Sequence, residues 1–264
     1  MTYQPGPTRE TTWTVHDDHV SLVRAPIAPT PLRVSAEPQA IEIDLARTAL
    51  VVVDMQNDFC HTAGWFGCKG IGVAPMRKPI NAIAGLSDAL RRAGARIVWL
   101  KWGIRADRAN LPSSVLYRGK RSADAAGYGE PSSSGRGPSL VQGSWGAAQI
   151  AELPAQASDI SVDKHRLSGF WDTELDSVLR GAGITTLLFA GINTDRCVFS
   201  TLQDAGFLGY DCVLVEDACG TPSPQYVSDA IVFLVRQLHG FTTTCAALLS
   251  ALHPSLDPSS TESA

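Results

Sequence analysis

The sequence predicts a single α/β domain, a doubly wound and mainly parallel sheet of six strands with helices on both faces. Short runs that are apolar throughout, such as residues 49–53, alternate along the chain with amphipathic stretches of helical length. Strands without apolar–polar alternation are typical of parallel sheets covered on both faces. The chain has 264 residues, of which 44% are hydrophobic, so it is long enough to enclose one large core.

Each predicted element rests on its own periodicity and end signals. Strands are predicted where apolar and β-branched residues cluster, and helices where apolar residues recur at helical spacing and a glycine follows. The predicted strands are residues 49–54, 96–100, 160–163, 186–190, 211–216 and 241–244. The predicted helices are residues 75–93, 172–180, 195–205 and 224–238.

Three segments fall outside this rhythm. Residues 1–45 are expected to form an extended N-terminal arm, wrapped on the body or on a neighbouring subunit, because residues 1–40 hold six prolines and little periodicity; a disordered arm is the alternative. Residues 103–146, rich in Gly, Ser, Arg and Pro, are too long for an ordinary connection and are expected to form a lid. The domain proper is predicted as residues 46–250, followed by a tail, residues 251–264.

Composition excludes several classes of partner. The 22 Lys and Arg residues are scattered and outnumbered by 26 Asp and Glu, which disfavours binding to nucleic acid or to an anionic membrane. The longest apolar run is far short of the roughly 20 residues of a membrane helix, and no signal pattern opens the chain, so a cytoplasmic location is expected. The six irregularly spaced cysteines indicate reduced thiols and no metal site; no cofactor is expected.

Three polar residues follow predicted strands at the edge where open parallel sheets bind ligands: Asp54, Lys164 and Cys197. Each has an ordinary explanation by itself. An Asp after a strand is usually a turn or cap residue, a lone Lys is usually solvated, and a Cys in the first turn of a helix is usually a small buried apolar residue.

Together the three residues are suited to nucleophilic catalysis. A helix N-terminus and a nearby ammonium are expected to lower the pKa of the Cys197 thiol, whose thiolate is the attacking form. Asp54 can accept the thiol proton and return it to a departing amine. Backbone N–H groups at the start of the helix that carries Cys197 are placed for an oxyanion hole. His165 adjoins Lys164 and is expected to point elsewhere, so a Cys–His dyad is disfavoured.

Four segments carry a family resemblance: residues 50–58, 163–164, 191–198 and 216–221. They look like the signature segments of the isochorismatase-like cysteine hydrolases, and the match runs from about residue 46 to 249. The resemblance implies a triad of Cys197 as nucleophile, Asp54 as base and Lys164 as thiolate stabiliser. It also implies a cis peptide bond between Ile192 and Asn193, which turns the N–H groups of Asn193 and Cys197 towards the oxyanion.

Two closer likenesses lie within this superfamily. Residues 168–179 are similar to ureidoacrylate amidohydrolases, whereas residues 103–112 of the lid resemble biuret hydrolases; both families open a ureide C–N bond. Nicotinamidases carry an Asp and histidines after the second strand to hold a metal, but residues 101–105 read Lys-Trp-Gly-Ile-Arg, so no metal is expected. Trp102 also replaces a small polar residue of the ureidoacrylate enzymes.

Loop aromatic residues are expected to wall a pocket for a small planar substrate, although ordinary core packing is the alternative for each. Arg105 is expected to bind a substrate carboxylate or to form a lid salt bridge, and Gln56 and Asn57 to orient Asp54, line the pocket or cap a turn. The predicted substrate-contacting residues are Gln56, Asn57, Phe59, Trp65, Trp102, Arg105, Phe170 and Trp171. Phe66 is a further aromatic candidate.

The sequence therefore predicts a cysteine-dependent amidohydrolase that cleaves a small ureide through a thioester-like acyl-enzyme, releasing ammonia or carbamate. The alternatives are hydrolysis of another small amide, such as an N-carbamoyl amino acid, a nicotinamide-like or an aryl amide, and a non-catalytic interaction module. Hydrolysis of the isochorismate vinyl ether is disfavoured, because those relatives lack the cysteine. The expected partners are a small-molecule substrate and further copies of the chain, as a dimer or tetramer.

Overall fold

The computed structural model describes residues 2–6 and 11–253, so the predicted tail beyond residue 253 lies outside the described residues. The strands are β1 (Thr14–Val15), β2 (Val20–Ser21), β3 (Pro31–Val34), β4 (Ile41–Asp44), β5 (Thr48–Val53), β6 (Arg96–Trp102), β7 (Ile160–Lys164), β8 (Thr186–Ile192), β9 (Asp211–Gly220) and β10 (Phe241–Thr243). The helices are α1 (Asn57–Cys60), α2 (Trp65–Cys68), α3 (Ala74–Arg77), α4 (Ile80–Arg92), α5 (Ser113–Gly119), α6 (Leu175–Gly181), α7 (Phe199–Phe207), α8 (Gln225–Leu234) and α9 (Cys245–Leu252).

The predicted parallel sheet of six strands is confirmed. Its strand order is β10-β9-β8-β5-β6-β7, and every neighbouring pair is parallel. Every residue of the two central strands, β5 and β8, is buried, so both faces of the sheet are covered. The carboxyl ends of β5, β7 and β8 consequently open at one edge of the sheet, under the lid.

Several helix boundaries differ from the prediction for local reasons. The helix predicted over residues 75–93 is split into α3 and α4 at Pro79, whose ring nitrogen carries no hydrogen for a helical bond. The helix predicted from residue 172 begins at Leu175, because Asp172 has a left-handed backbone with φ of +58°. The helix predicted from residue 195 opens with a π-helical turn, Thr194–Val198, which α7 continues.

The N-terminal arm contains strands that the sequence analysis missed. It forms two antiparallel ladders, β1 with β2 and β3 with β4. Glu37 then exchanges two backbone hydrogen bonds with Thr242 of β10, each 2.9 Å long. The arm thereby covers the edge of the sheet, where exposed backbone groups would otherwise be open to pairing with another chain.

The lid, residues 103–146, contains α5 and is otherwise built from turns. Its two ends meet, because the Ile104 N–H donates to the Leu140 carbonyl at 2.9 Å and the Gln142 N–H to the Ile104 carbonyl at 3.0 Å. Within residues 2–6 and 11–253, no helix is both long and apolar enough to span a membrane.

Candidate active site

The sheet brings Asp54, Lys164 and Cys197 together beneath the lid. Asp54 directly follows β5, Lys164 is the last residue of β7, and Cys197 lies in the π-helical turn after β8. All three are buried, with exposed fractions of 1%, 0% and 4%. The Lys164 Nζ lies 3.0 Å from the Asp54 Oδ2. These three residues are called the buried cluster below.

A close approach of β8 to β5 allows this arrangement. Gly191 has φ of +105°, and a Cβ at this position would lie 2.2 Å from the Val53 carbonyl oxygen. Asp54, which follows Val53 at the end of β5, has φ of +55°, in the left-handed region that Asp tolerates better than most residues. The close approach of the two strands and the turn at Asp54 together bring the Asp54 side chain near the turn that carries Cys197.

The ammonium of Lys164 has three partners in the buried interior. Besides Asp54, it donates a hydrogen bond to the Arg166 carbonyl at 3.2 Å and lies 4.3 Å from the centroid of the Trp102 ring. A cation over the face of an indole is attracted by the ring quadrupole, and more strongly where water is excluded. Trp102 is therefore part of the electrostatic environment of the buried cluster.

Burial dominates the acid–base properties of the cluster. Burial raises the pKa of Asp54, and the nearby Lys164 ammonium opposes that shift. Burial, followed by the charge of Asp54, raises the pKa of the Cys197 thiol to about 12, although Lys164 acts in the opposite direction. Lys164 lowers the pKa of the thiol, as expected, but burial and the charge of Asp54 outweigh that effect, so the expected net lowering of the thiol pKa is wrong for this structure. The raised pKa favours a protonated thiol, and the Asp54 carboxylate is one of the groups that interact with it.

The turn after β8 presents backbone and amide groups beside Cys197. The peptide bond between Ile192 and Asn193 is cis. The Asn193 carbonyl accepts hydrogen bonds from the N–H groups of Arg196 at 3.0 Å and Val198 at 3.2 Å, which fixes the turn. The Asn193 side chain is buried, and within the described part of the chain its Oδ1 has no hydrogen-bond partner.

A cavity of about 480 Å³ opens above Cys197 and is walled by aromatic rings. Trp65 and Trp102 both contact Tyr128 of the lid, with ring centroids 5.0 and 5.2 Å apart. The lining residues are Phe59, Trp65, Phe66, Lys69, Ile71, Trp102, Arg118, Arg121, Tyr128, Leu167, Asn193, Arg196 and Cys197. Phe59, Trp65 and Trp102 of the predicted substrate-contacting residues are therefore in the lining.

Three other predicted contact residues lie outside that lining. The Arg105 side chain is 63% exposed and pairs with Asp107 at 2.6 Å, so it forms the lid salt bridge rather than a carboxylate site. Trp171 is 62% exposed and donates its indole N–H to Asp204 at 2.8 Å. Phe170 packs against Tyr210. In each case the side chain contacts a partner outside the cavity, and the sequence pattern does not indicate that partner.

Gln56 and Asn57 anchor the lid rather than line the cavity. The Gln56 amide donates to the carbonyls of Trp102 at 2.8 Å and Ala147 at 2.7 Å and accepts from the Trp102 N–H at 2.8 Å. The Asn57 amide donates to the Trp145 carbonyl at 2.9 Å. Both residues therefore satisfy backbone groups at the base of the lid.

Sequence reasoning missed Asp58, which completes this anchor. Its buried carboxylate accepts the N–H of Trp65 at 2.9 Å and the N–H of Leu140 at 2.6 Å, thereby joining a cavity wall to the lid. Burial raises the pKa of Asp58. Its place in the signature segment 50–58 was the available signal. The lid residues Arg118, Arg121 and Tyr128 were also missed, and no periodicity marks them.

The segment compared above with the metal site of nicotinamidases, residues 101–105, contains no His, Cys, Asp or Glu. Among residues 2–6 and 11–253, no group of three or more His, Cys, Asp or Glu side chains is arranged to hold a metal ion. The Lys101 Nζ lies 3.9 Å from the Asp163 Oδ1. The six cysteines are free thiols.

Known proteins share this architecture. The isochorismatase domain model matches residues 48–247. The ureidoacrylate amidohydrolase RutB of Caulobacter segnis is 33% identical over 223 residues, which cover 84% of this chain and 92% of that protein. The N-carbamoylsarcosine amidase of Thermoplasma acidophilum superposes with a TM-score of 0.58 at 26% identity, over 75% of this chain and 96% of its own.

A cysteine hydrolase of Pseudomonas syringae pv. phaseolicola superposes with a TM-score of 0.67, over 86% of this chain and 98% of its own. Its identity of 24% restricts that likeness to the fold.

Proposed function

Because the chain belongs to the isochorismatase family, as its sequence predicts, we propose that it is a cysteine-dependent amidohydrolase that opens a C–N bond of a small ureide. The observation that carries this proposal is the buried cluster of Asp54, Lys164 and Cys197 at the bottom of an aromatic cavity. Two similar proteins support the substrate class, since one is named a ureidoacrylate amidohydrolase and the other an N-carbamoylsarcosine amidase.

In the first half of the reaction, the Cys197 sulfur attacks the substrate carbonyl while its proton passes to Asp54. A concerted transfer suits a thiol whose pKa is raised by burial, because no free thiolate then has to accumulate. The N–H groups of Asn193 and Cys197 are proposed to stabilise the oxyanion of the tetrahedral intermediate. The protonated Asp54 then gives its proton to the departing nitrogen, leaving a thioester-like acyl-enzyme.

In the second half, water attacks the acyl-enzyme and Asp54 accepts its proton. The tetrahedral intermediate collapses with departure of the cysteine sulfur, which regains a proton as the acid product leaves. The Lys164 ammonium stabilises the negative charge that alternates between Asp54 and the sulfur. Two observations support this role: the Lys164 Nζ lies 3.0 Å from the Asp54 Oδ2, and Lys164 lowers the pKa of both Asp54 and Cys197.

Asn193 favours a substrate with N–H groups. Its Oδ1 is buried at the cavity wall without a hydrogen-bond partner among the described residues. An unpaired buried acceptor costs free energy that a donor on the ligand would recover. A ureide carries such donors on both sides of its carbonyl, whereas the vinyl ether of isochorismate offers none at the reacting bond.

The proposal is tested by an ammonia-release assay on 3-ureidoacrylate, biuret, an N-carbamoyl amino acid and nicotinamide. At least one ureide should exceed about 10⁴ M⁻¹s⁻¹ in kcat/KM, the level typical of a natural substrate, and EDTA should not change the rate. Stoichiometric iodoacetamide should abolish turnover and label Cys197 in mass spectra. Cys68→Ser, which removes the half-buried thiol at the end of α2, is the matched control and should react as the wild type does.

Turnover restricted to an aryl amide or to nicotinamide would refute the ureide assignment while retaining the thiol mechanism. No turnover of any amide, with Cys197 unreactive towards iodoacetamide, would favour the non-catalytic interaction module instead.

The proposal includes a cytoplasmic homo-oligomer. The free thiols are consistent with a reducing compartment. Large apolar side chains on α7, α8 and the following turn are exposed, namely Phe207, Phe233 and Leu238. Burial of these side chains in a dimer or tetramer would remove apolar area from water. Light scattering after size-exclusion chromatography measures the oligomeric state, and a monomer at micromolar concentration would refute this part.

A further inference from the structure

The cavity above Cys197 has a one-sided charge. Among the described residues, its lining contains four cationic side chains and no carboxylate. The cations are Lys69, Arg118, Arg121 and Arg196. The buried Asp54 lies beneath the cavity and is already neutralised by its own lysine at 3.0 Å. A cationic lining of this kind attracts an anionic group on the ligand.

Three of the four cations have partners among the described residues. The Lys69 ammonium donates to the Gly119 carbonyl at 2.6 Å and lies 4.6 Å from the centroid of the Trp65 ring. The Arg196 guanidinium lies 3.6 Å from Asp195. Arg118 donates its Nε to the Ser114 carbonyl at 3.2 Å, and no described residue forms a hydrogen bond or ion pair with Arg121. The two lid arginines therefore carry charges that no described carboxylate neutralises.

The other cations of the lid are satisfied, which makes this pair distinctive. Arg105 pairs with Asp107, and both Arg108 and Lys120 pair with Glu130, at 3.4 and 2.8 Å. Arg136 lies over the Trp145 ring at 4.5 Å. None of these four cations lines the cavity. Each of these four cations thus has a carboxylate or an aromatic ring as a partner, whereas the exposed guanidinium groups of Arg118 and Arg121 have neither among the described residues.

These charges act across the cavity. Arg118 and Arg196 lower the pKa of the Tyr128 hydroxyl, although burial and the neighbouring Cys197 raise it overall. Burial, followed by the charge of Arg121, lowers the pKa of the Lys69 ammonium. The fields of both lid arginines therefore reach residues that wall the same small cavity as the nucleophile.

We propose that Arg118 and Arg121 form an anion subsite at the solvent-facing end of the cavity, so that the substrate is a ureide that bears a carboxylate remote from the scissile bond. This inference rests on the proposed function. A carboxylate accepts paired hydrogen bonds from a guanidinium, while the ureide carbonyl lies against Cys197 at the buried end. A neutral ureide such as biuret leaves the two arginines without an anion and gains nothing from them.

The subsite is tested first without turnover, by alkylation with iodoacetate and iodoacetamide, which differ only in carboxylate against amide. A Cys68→Ser background removes the half-exposed thiol that burial does not protect. The ratio of the two rates at Cys197 should fall about tenfold in Arg118→Gln/Arg121→Gln, because the positive field that attracts iodoacetate is lost. The control Arg108→Gln, a lid arginine outside the cavity, should keep the wild-type ratio.

The second test compares 3-ureidoacrylate with its methyl ester. In the wild type the acid should exceed the ester in kcat/KM by about 30-fold, the scale of charge-assisted hydrogen bonds to guanidinium. The Arg118→Gln/Arg121→Gln variant should lose that preference, because KM for the acid should rise by more than KM for the ester. Arg108→Gln should again behave as the wild type.

The outcomes separate the two proposals. An unchanged alkylation ratio in the double variant, or an ester as good as the acid in the wild type, would overturn the anion subsite even if ureides are cleaved. A lowered alkylation ratio without turnover of any ureide would support the subsite and refute the proposed function.

Discussion

The bottom and the roof of the cavity are built by different means. The buried cluster lies at the ends of β5, β7 and after β8, strands joined by continuous parallel ladders. The lid has one helix, α5, of seven residues and is otherwise irregular. The sheet therefore positions the buried cluster through its register, whereas individual side-chain bonds hold the lid.

The two regions meet in one short segment, residues 56–58. All three side chains of this segment bond backbone groups of the lid or of the neighbouring strand end. Only Met55 separates this segment from Asp54, so the same short stretch of chain carries the proposed base and holds the lid. Substitutions in the buried cluster, at the bottom of the cavity, are expected to abolish turnover. Substitutions in residues 56–58, the junction, or in the lid, which forms the roof, should instead alter substrate affinity and the stability of the protein.

The largest expected effect comes from Cys197→Ser at the bottom of the cavity. A serine hydroxyl beside Asp54 and Lys164 lacks a base strong enough to ionise it, so kcat/KM should fall by roughly 10³-fold or more with the fold intact. Steady-state assays and circular dichroism measure the two quantities, with Cys68→Ser as control. Retention of more than a few per cent of activity would contradict the thiol mechanism.

Lys164→Met should have the next largest effect, and it depends on pH. The lysine lowers the pKa of Asp54, so its loss raises that pKa further. Activity needs the carboxylate, which is populated above its pKa; the acid limb of the pH–rate profile should therefore move to higher pH. At pH 7 kcat/KM should fall by about 100-fold, equivalent to roughly 2.7 kcal/mol of transition-state free energy.

The matched control is Lys101→Met, which removes a lysine that lies 3.9 Å from Asp163 and outside the cavity lining. It should leave the pH–rate profile unchanged. A Lys164→Met profile that is lower but not displaced along the pH axis would argue against an electrostatic role for Lys164.

Asp58→Asn tests the junction. One oxygen that accepts an N–H from Trp65 or Leu140 becomes an NH₂ group, which leaves a buried donor unsatisfied. The free energy of unfolding should fall by about 1–3 kcal/mol, and KM should rise about tenfold because the lid is less firmly held. Urea denaturation and limited proteolysis within residues 103–146 provide the measurements. The control Asp107→Asn, on the exposed side of the lid, should lower the free energy of unfolding by well under about 1 kcal/mol.

The smallest expected effect is that of Trp102→Phe, at the residue that contacts both Lys164 of the buried cluster and Tyr128 of the lid. Its ring lies between the Lys164 ammonium and the Tyr128 ring, at 4.3 and 5.2 Å. Trp102→Phe keeps an aromatic face and should lower kcat/KM about threefold, whereas Trp102→Leu removes it and should lower kcat/KM about tenfold. Equal losses in both variants would indicate that the ring acts through its size alone.

The contrast between the two regions also explains what the sequence could predict. The sheet and the family were predicted because apolar strands repeat and the signature segments fall at their ends, which also drew attention to Asp54, Lys164 and Cys197. The contacts of the lid follow no period. Arg105 was expected at the substrate, but its neighbour Asp107 pairs with it, while Arg118 carries no local signal.

Electrostatics was the second limit of the sequence analysis. The neighbours of Cys197 were predicted, but the sign of the shift in its pKa depends on how completely water is excluded, which residue types do not show. Gln56 and Asn57 were predicted to lie near the site, but their role in holding the lid was not. Their backbone partners, such as Ala147 and Trp145, lie about ninety residues away in the sequence, so no local pattern indicates them.

Gly191 gives a criterion for interpreting diverged relatives of this chain. Its backbone conformation excludes a side chain, as does the 2.2 Å that would separate an added Cβ from the Val53 carbonyl oxygen, although the residue takes no part in the proposed chemistry. A paralogue that retains the counterparts of Asp54, Lys164 and Cys197 but has a larger residue here must separate its two central strands. Such a paralogue would retain the three residues of the buried cluster but not the distances between them. The residue at this position therefore distinguishes relatives that keep the geometry of the site from relatives that keep only its sequence motifs.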